Sequence, residues 1–367
     1  MPESIIFDNQ ELLPASWRHF GGQGPVRAFN PSLLRDGDGW VFAYRVVGPD
    51  LLRRIALCRL DRNLQVIAGS PVAFSQSIRF APGHHYAEPA QTWFADPRLY
   101  RLAGRLFVYW NSGWHDPLNY QFIQEIDPRD LRPIGWAREL NLIGPRQKLE
   151  KNWTLFGERD ANQDLRDRMS GDMGGTPMPR GTGVPPVGLS ARARPDLRLG
   201  EGPFYAIYSI TPHRVLQFSL GGEGAIDFTE AVSTEWNNDA YAGTYGALRG
   251  GAVPQRVGEH YYSICHSVHP APDGYRYVPA VYRFAALPPF APTDAPTRPL
   301  ALENPFGPRR VYEKLNPAVG EVIYPCGAAY DEGRWIVSYG INDEHCAITF
   351  LPAADVMASL GTVVPSG

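Results

Sequence analysis

Asp96 stands in the run Phe94-Ala95-Asp96-Pro97-Arg98-Leu99-Tyr100, and Arg105-Leu106-Phe107-Val108-Tyr109-Trp110-Asn111 follows it across Gly104. Two alternating, aromatic-rich runs around a glycine turn predict a β-hairpin. An antiparallel hairpin sets the start of its first strand beside the end of its second, so Asp96 and Asn111 share one rim. The same plan recurs with Asn30 and Arg45 and with Gly251 and His266, each pair fifteen positions apart. One rim would then gather Asn30, Ser32, Arg45, Asp96, Arg98, Lys151, His213, Arg256, His266 and Asp343. Amides and hydroxyls suit a sugar. Several cations around one carboxylate suit an anion bound beside an acid.

Each of these residues also has a plainer reading. Asp96-Pro97-Arg98 is compatible with a structural ion pair, which perturbs pKa as much as catalysis does. Arg45 is compatible with a solvated strand end, Lys151 with a surface loop lysine, and His266 with a satisfied buried histidine. His84, His85 and Glu88 hint at a metal, but no third ligand has convincing spacing, so no metal is expected.

The elements that must position the rim come in five units of strand, turn, strand, gap, strand. The first runs from Asn30 through the Asp36-Gly37-Asp38-Gly39 turn to Arg45 and on to Asp61, and the second is the Asp96 hairpin continued to Asp127. The third starts near Lys151 and resumes at Pro203, the fourth spans Gly250 to Phe284, and the fifth Tyr324 to Leu351. A short strand is expected at Ser4–Phe7. Repeated small antiparallel sheets predict an all-β fold, a single five-bladed β-propeller over residues 1–367 with long connections between blades; a two-sheet sandwich is the other architecture the hairpins allow. Residues 160–201, rich in Gly, Pro and Met and without hydrophobic periodicity, read as a disordered insertion in the third blade.

Composition narrows the classes. Aromatics are 12%, and 37 Gly and 35 Pro favour short strands and tight turns over helices. A formal charge of −3 gives no basic excess, which argues against nucleic acid or an anionic membrane as partner. With no leader-like N-terminus or long apolar run, the chain is expected to be soluble and cytoplasmic. Cys58, Cys265, Cys326 and Cys346 lie far apart, which favours reduced buried thiols.

Taken in order, Asn30-Pro31-Ser32 through Tyr44-Arg45, Ala95-Asp96-Pro97-Arg98, Glu150-Lys151-Asn152-Trp153, Gly250-Gly251 through His266, and Tyr324-Pro325-Cys326-Gly327 through Asn342-Asp343 resemble glycoside hydrolase family 130. That family comprises the five-bladed β-mannoside phosphorylases and β-1,2-mannosidases, with glycosyltransferase-like relatives. The resemblance implies that Asp96 is the proton donor, acting through a sugar hydroxyl. It places Asn30, Ser32, Arg45 and Asp343 around the non-reducing sugar, with Arg98, Lys151 and Asn152 among the substrate-binding residues and Tyr277 as a stacking ring. It assigns phosphate to His213 (or Arg214), Arg256 and His266. Ala95 stands where the family has an acidic residue, and Arg256 where it has Lys.

Cleaving a glycosidic bond requires a proton on the leaving oxygen and a nucleophile on the opposite face of the ring. With phosphate as nucleophile one acid and several cations suffice, which matches the rim better than two facing carboxylates. The expected function is therefore inverting phosphorolysis of a β-mannoside, with inorganic phosphate as co-substrate, no other cofactor, and an oligosaccharide or glycoside as partner. Self-association stays open. Hydrolysis ranks second and needs a further acid, Glu321 or Glu88; transfer from a nucleotide sugar ranks third, and non-catalytic glycan binding fourth.

Overall fold

A computed structural model describes residues 4–86, 93–113, 119–146, 150–157, 202–272 and 274–363. The chain is mostly β. After β1 (Ser4–Ile6), the first antiparallel group is β2 (Arg27–Asp36), β3 (Gly39–Val47) and β4 (Arg53–Leu60). The second is β5 (Ala95–Leu102), β6 (Arg105–Asn111), β7 (Gln121–Ile126) and β8 (Pro133–Leu142). The third is β9 (Thr154–Gly157), β10 (Phe204–Ser209), β11 (His213–Phe218) and β12 (Ile226–Thr234). The fourth is β13 (Leu248–Arg249) and β14 (Gln255–Val257), both on β15 (His260–Ala271), then β16 (Gly274–Ala285) and β17 (Pro292–Pro296). The fifth is β18 (Val319–Asp331), β19 (Arg334–Ile341) and β20 (His345–Pro352), and β1 from the start of the chain pairs with β20 as its last strand. β21 (Leu360–Thr362) returns to β17. Parallel pairing of β12 with β8 and of β16 with β18 merges these groups into sheets of 8, 10 and 3 strands.

The expected hairpins form, and their period-2 side chains explain how the groups pack. In β3, Phe42 and Tyr44 face a core shared with Ile336, Cys346 and Ile348 of the fifth group. Val41 and Ala43, one residue out of phase, face Leu99, Val108 and Trp110 of the second. Likewise Phe107 and Tyr109 of β6 turn to Leu155, Ala206 and Leu216 of the third group. Phe156, Tyr205 and Val215 pack on Tyr261, Cys265 and Tyr282 of the fourth. On the other face of β15, Tyr262 and Ile264 meet Trp335, Val337 and Tyr339 of the fifth. Both faces of each group are thus buried against its neighbours in the chain, and the core between fifth and first closes the cycle. The four cysteines are buried and free. No helix among the described residues is long and apolar enough to cross a membrane. The expected insertion at 160–201 lies outside the described residues.

The first strands of the groups meet through polar contacts. The Leu99 backbone N–H donates to Ser32 Oγ at 3.1 Å, and Ser338 Oγ donates to the Pro31 carbonyl at 2.7 Å. Arg98 is fully buried and reaches three other groups at once. From the second group its Nε donates to the Gly251 carbonyl at 2.6 Å, and its terminal nitrogens reach the Trp153 carbonyl (3.5 Å), Asn152 Oδ1 (3.4 Å) and Tyr324 OH (3.0 Å). These acceptors are neutral and shielded from water, so losing the guanidinium leaves several of them unsatisfied. Arg98→Met is expected to lower unfolding free energy by about 1–3 kcal/mol for each acceptor left unsatisfied, read in denaturant titration. Arg98→Lys should recover little of it, because an ammonium cannot span the fork; full recovery by Lys would contradict this role.

Candidate active site

Where the first strands converge they enclose a cavity of about 850 Å³. Two local devices aim side chains into it. Ladder register slips between Phe29 and Ser32 in β2 and between Ala95 and Arg98 in β5, each time at an Xaa-Pro step. The residues before proline, Asn30 and Asp96, take left-handed backbone with φ of 52° and 50°, and Asn152 does the same at 69°. Asn and Asp tolerate this region better than most residues, and a bulge turns a side chain out of the sheet's alternation. Glycines allow the close approach: a Cβ on Gly340 would collide with Asn30, and one on Gly250 with the Asn152 carbonyl.

Asp96 and Asp343 are the carboxylates among the described residues lining the cavity, beside the cations Arg45, Arg53, Lys151 and Arg249. Asn30 Nδ2 donates to Asp96 Oδ1 at 2.8 Å, and Arg45 Nη1 stands 3.9 Å from the same oxygen. Burial alone would raise the Asp96 pKa, but Arg45, Arg98 and Lys151, with the Asn30 hydrogen bond, outweigh it and hold the carboxyl below its usual range. Asp343 goes the other way: burial, helped by the Asp96 charge, pushes it up despite Arg45 and Arg310. Burial, then repulsion from Arg45, lowers Arg53 to about 10. Lys151 is lowered by burial and by Arg45, Arg249 and Arg53, against the pull of Asp96. The cavity therefore carries an excess of crowded positive charge, which an anionic ligand would relieve.

The aromatic wall is His266, Tyr277 and Tyr324. His266 stacks on Tyr277 at 5.0 Å and meets the edge of Tyr324 at 4.8 Å. Burial, then Arg249 and Arg98, drives the His266 pKa down to about 3, so the ring is neutral at physiological pH. Tyr277 is pushed up to about 12 by burial and remains a phenol.

Of the residues expected on the rim, Asn30, Arg45, Asp96, Lys151, His266 and Asp343 line the cavity, as do Asn152 and Tyr277, which the resemblance implied. Ser32 and Arg98 lie fully buried behind the lining as inter-strand ties. His213 is not in the lining. It is fully buried, with its Nε2 3.3 Å from Tyr282 OH and its ring against Phe284, and burial lowers its pKa to about 3. Arg256 is not in the lining either. It pairs with Tyr261 near the Gly258 turn and donates to the Gly258 carbonyl at 3.1 Å. The chain passes irregularly through Gly250–Pro254 and places Arg249, not Arg256, opposite His266. Arg53, Trp93 and Arg249 were not expected. The signal for Arg249 was its place beside Gly250-Gly251; Arg53 and Trp93 reach the cavity through a parallel bridge between distant segments, with the guanidinium 3.4 Å over the ring. Among the described residues the cavity holds no group of three metal-ligating side chains within reach of one ion.

No protein-family profile matches the chain, and no curated protein is significantly similar to it in sequence. Solved structures do share its fold. A β-1,2-mannobiose phosphorylase from Listeria innocua, solved with β-1,2-mannobiose, superposes with a TM-score of 0.55 at 14% identity, covering 97% of this chain and 99% of that one. A Bacteroides thetaiotaomicron protein provisionally named a glycosidase gives a TM-score of 0.57 at 14% identity over 89% of this chain and 87% of its own. A Bacteroides ovatus protein provisionally named a glycoside hydrolase gives 0.55 at 12% identity, over 92% and 89%. At such identities the likeness is one of fold.

The geometry separates two arginines experimentally. In calorimetric titration with inorganic phosphate, Arg249→Ala should weaken binding about tenfold or more, the scale of one charge-assisted hydrogen bond. Arg256→Ala should stay within about twofold of the parent. The reverse ranking would move the anion site to the far end of β14.

Proposed function

We propose that the chain is a carbohydrate-active enzyme in which the five antiparallel groups are blades of a propeller. In this reading the central cavity cleaves or transfers a β-mannoside, with inorganic phosphate as acceptor. The observation that carries it is the lone low-pKa carboxylate of Asp96, tied by Asn30 and faced by Arg45, with Lys151 and Arg249 in the same cavity. The fold shared with a β-1,2-mannobiose phosphorylase supports it.

The residues divide by chemistry. Arg45, Asp343 and Asn30 offer donors and acceptors for sugar hydroxyls, and the Tyr277 ring offers an apolar face for a pyranose. Lys151 and Arg249, with neutral His266 as a hydrogen-bonding partner, take the phosphate dianion and hold it toward the anomeric carbon. In the free protein Asp96 is ionised, the wrong form for a proton donor. A bound dianion offsets Lys151, one of the cations that hold its pKa down, and adds negative charge to the same buried space, so the acceptor itself brings Asp96 toward the protonated state. The proton then passes, through a sugar hydroxyl, to the leaving oxygen as phosphate attacks the opposite face with inversion.

Hydrolysis is the second reading, favoured by the raised pKa of Asp343, which gives the cavity two carboxyl groups with environments pushed apart. Of the further acids considered, Glu321 accepts from Asn304 Nδ2 at 2.8 Å and does not line the cavity, and Glu88 lies outside the described residues. Transfer from a nucleotide sugar and non-catalytic glycan binding have no comparable observation in their favour.

Incubation with β-manno-oligosaccharides should yield mannose 1-phosphate only when phosphate is present. Free mannose formed without phosphate would select hydrolysis, and no product in either case would exclude both. Asp96→Asn should lower kcat about 10²–10⁴-fold while sugar binding by calorimetry persists; unchanged turnover would remove Asp96 from the reaction.

A further inference from the structure

Away from the cavity, the segment that follows β4 carries two adjacent histidines whose rings stack at 4.8 Å with 19° between planes. The sequence offered them no convincing third partner, but the fold does. Glu139 of β8 comes in from the second group, its Oε2 3.5 Å from His84 Nε2 and 3.7 Å from His85 Nε2. The three candidate ligand atoms all lie within 4.8 Å of one another. We propose that His84, His85 and Glu139 form a binding site for a divalent transition-metal ion of the zinc type, which clips residues 77–86 to β8.

Bond lengths of about 2.0–2.2 Å and tetrahedral angles put the ligand atoms of zinc roughly 3.3–3.5 Å apart. Both carboxylate–imidazole separations are already close to that edge. The remaining histidine–histidine edge closes by turning His85, whose side chain is 56% exposed and has room to move. The donor set is that of borderline metals, two imidazoles and one carboxylate, with solvent able to supply the fourth position.

The electrostatics run the same way. The Glu139 side chain is only 13% exposed, and burial raises its pKa against the pull of His85 and Arg146. Arg146 itself is engaged with Glu150 at 2.8 Å, and among the described residues no guanidinium pairs with the Glu139 carboxylate. Burial, then His85, lowers the His84 pKa, which keeps that imidazole in the neutral form a metal requires. Phe80, Tyr86 and Phe122 wall the cluster and strengthen any charge–charge attraction within it. One contact must yield. The Tyr86 backbone N–H donates to His84 Nδ1 at 3.1 Å, which puts the ring proton on Nε2, aimed at Glu139. The ion takes that proton's place, the proton moves to Nδ1, and the Tyr86 hydrogen bond is given up.

The test uses full-length, tag-free protein stripped with chelator and titrated with zinc chloride in a calorimeter, with melting temperature as a second readout. One ion per chain should bind and raise the melting temperature. His85→Ala and Glu139→Gln should each weaken binding beyond the about 10–100-fold expected for losing an outer-shell partner, with chelated melting temperatures near that of the parent. Absence of saturable binding to the parent, or binding that persists in both variants within about threefold, would overturn the proposal.

Discussion

A single guanidinium without a carboxylate in hydrogen-bonding contact sits where the first strands converge. Arg98 is wholly buried, and its donors run to carbonyls, an amide and a phenol from three groups other than its own. Burying a cation this way is costly unless every donor is used. The arrangement is stable only when all four groups stand in one register about it. The same register fixes Asn152, Tyr324 and Gly250, which are walls of the cavity. The interaction that ties four of the groups together therefore also sets the geometry of the site. Its charge contributes to holding Asp96 ionised.

That link gives the cavity its chemical character. Side chains at the converging ends of several sheets bring more positive than negative charge into a space partly withdrawn from water, and the two carboxyls respond in opposite senses. Asp96 answers to the cations, Asp343 mainly to burial. An arrangement of that kind is sensitive to what fills it. A neutral sugar leaves the imbalance in place, whereas a dianion removes it and shifts the proton affinity of the acid beside it.

Much of this was legible in the sequence, because the alternation of the strands carries the packing as well as the pairing. The runs Trp40–Arg45 and Arg105–Asn111 alternate between two cores, and the hairpin turns fall where Gly37 and Gly104 stand, both with positive φ. The equal spacing reflects a shared register in two of the three rim pairs, offset by one residue: Phe29 faces Arg45 and Ala95 faces Asn111, and the residue that follows each is thrown into the cavity by a bulge, whereas in the third Arg249 and not Gly251 faces His266. The Xaa-Pro step was visible, but its left-handed backbone depends on the neighbouring strand and was not. Arg256 and His213, which the resemblance put at the phosphate, lie outside the cavity lining. The irregular run at Gly250–Pro254 carries Arg256 away from the cavity, and a crowded aromatic core holds His213. The outer strands β8 and β12, and the closing role of β1 on β20, rest on long-range pairing that local pattern does not encode.

The central claim is that the cations around Asp96 form an anion site at the convergence of the inner strands. A crystal grown without sulfate or phosphate and soaked in selenate, a tetrahedral dianion with its own anomalous signal, tests it most directly. The account predicts one strong anomalous peak inside the cavity, in contact with Lys151 or Arg249 and on the Asp96 side of the Tyr277 ring. A cavity without a peak while selenate occupies Arg256 or another surface cation would contradict it.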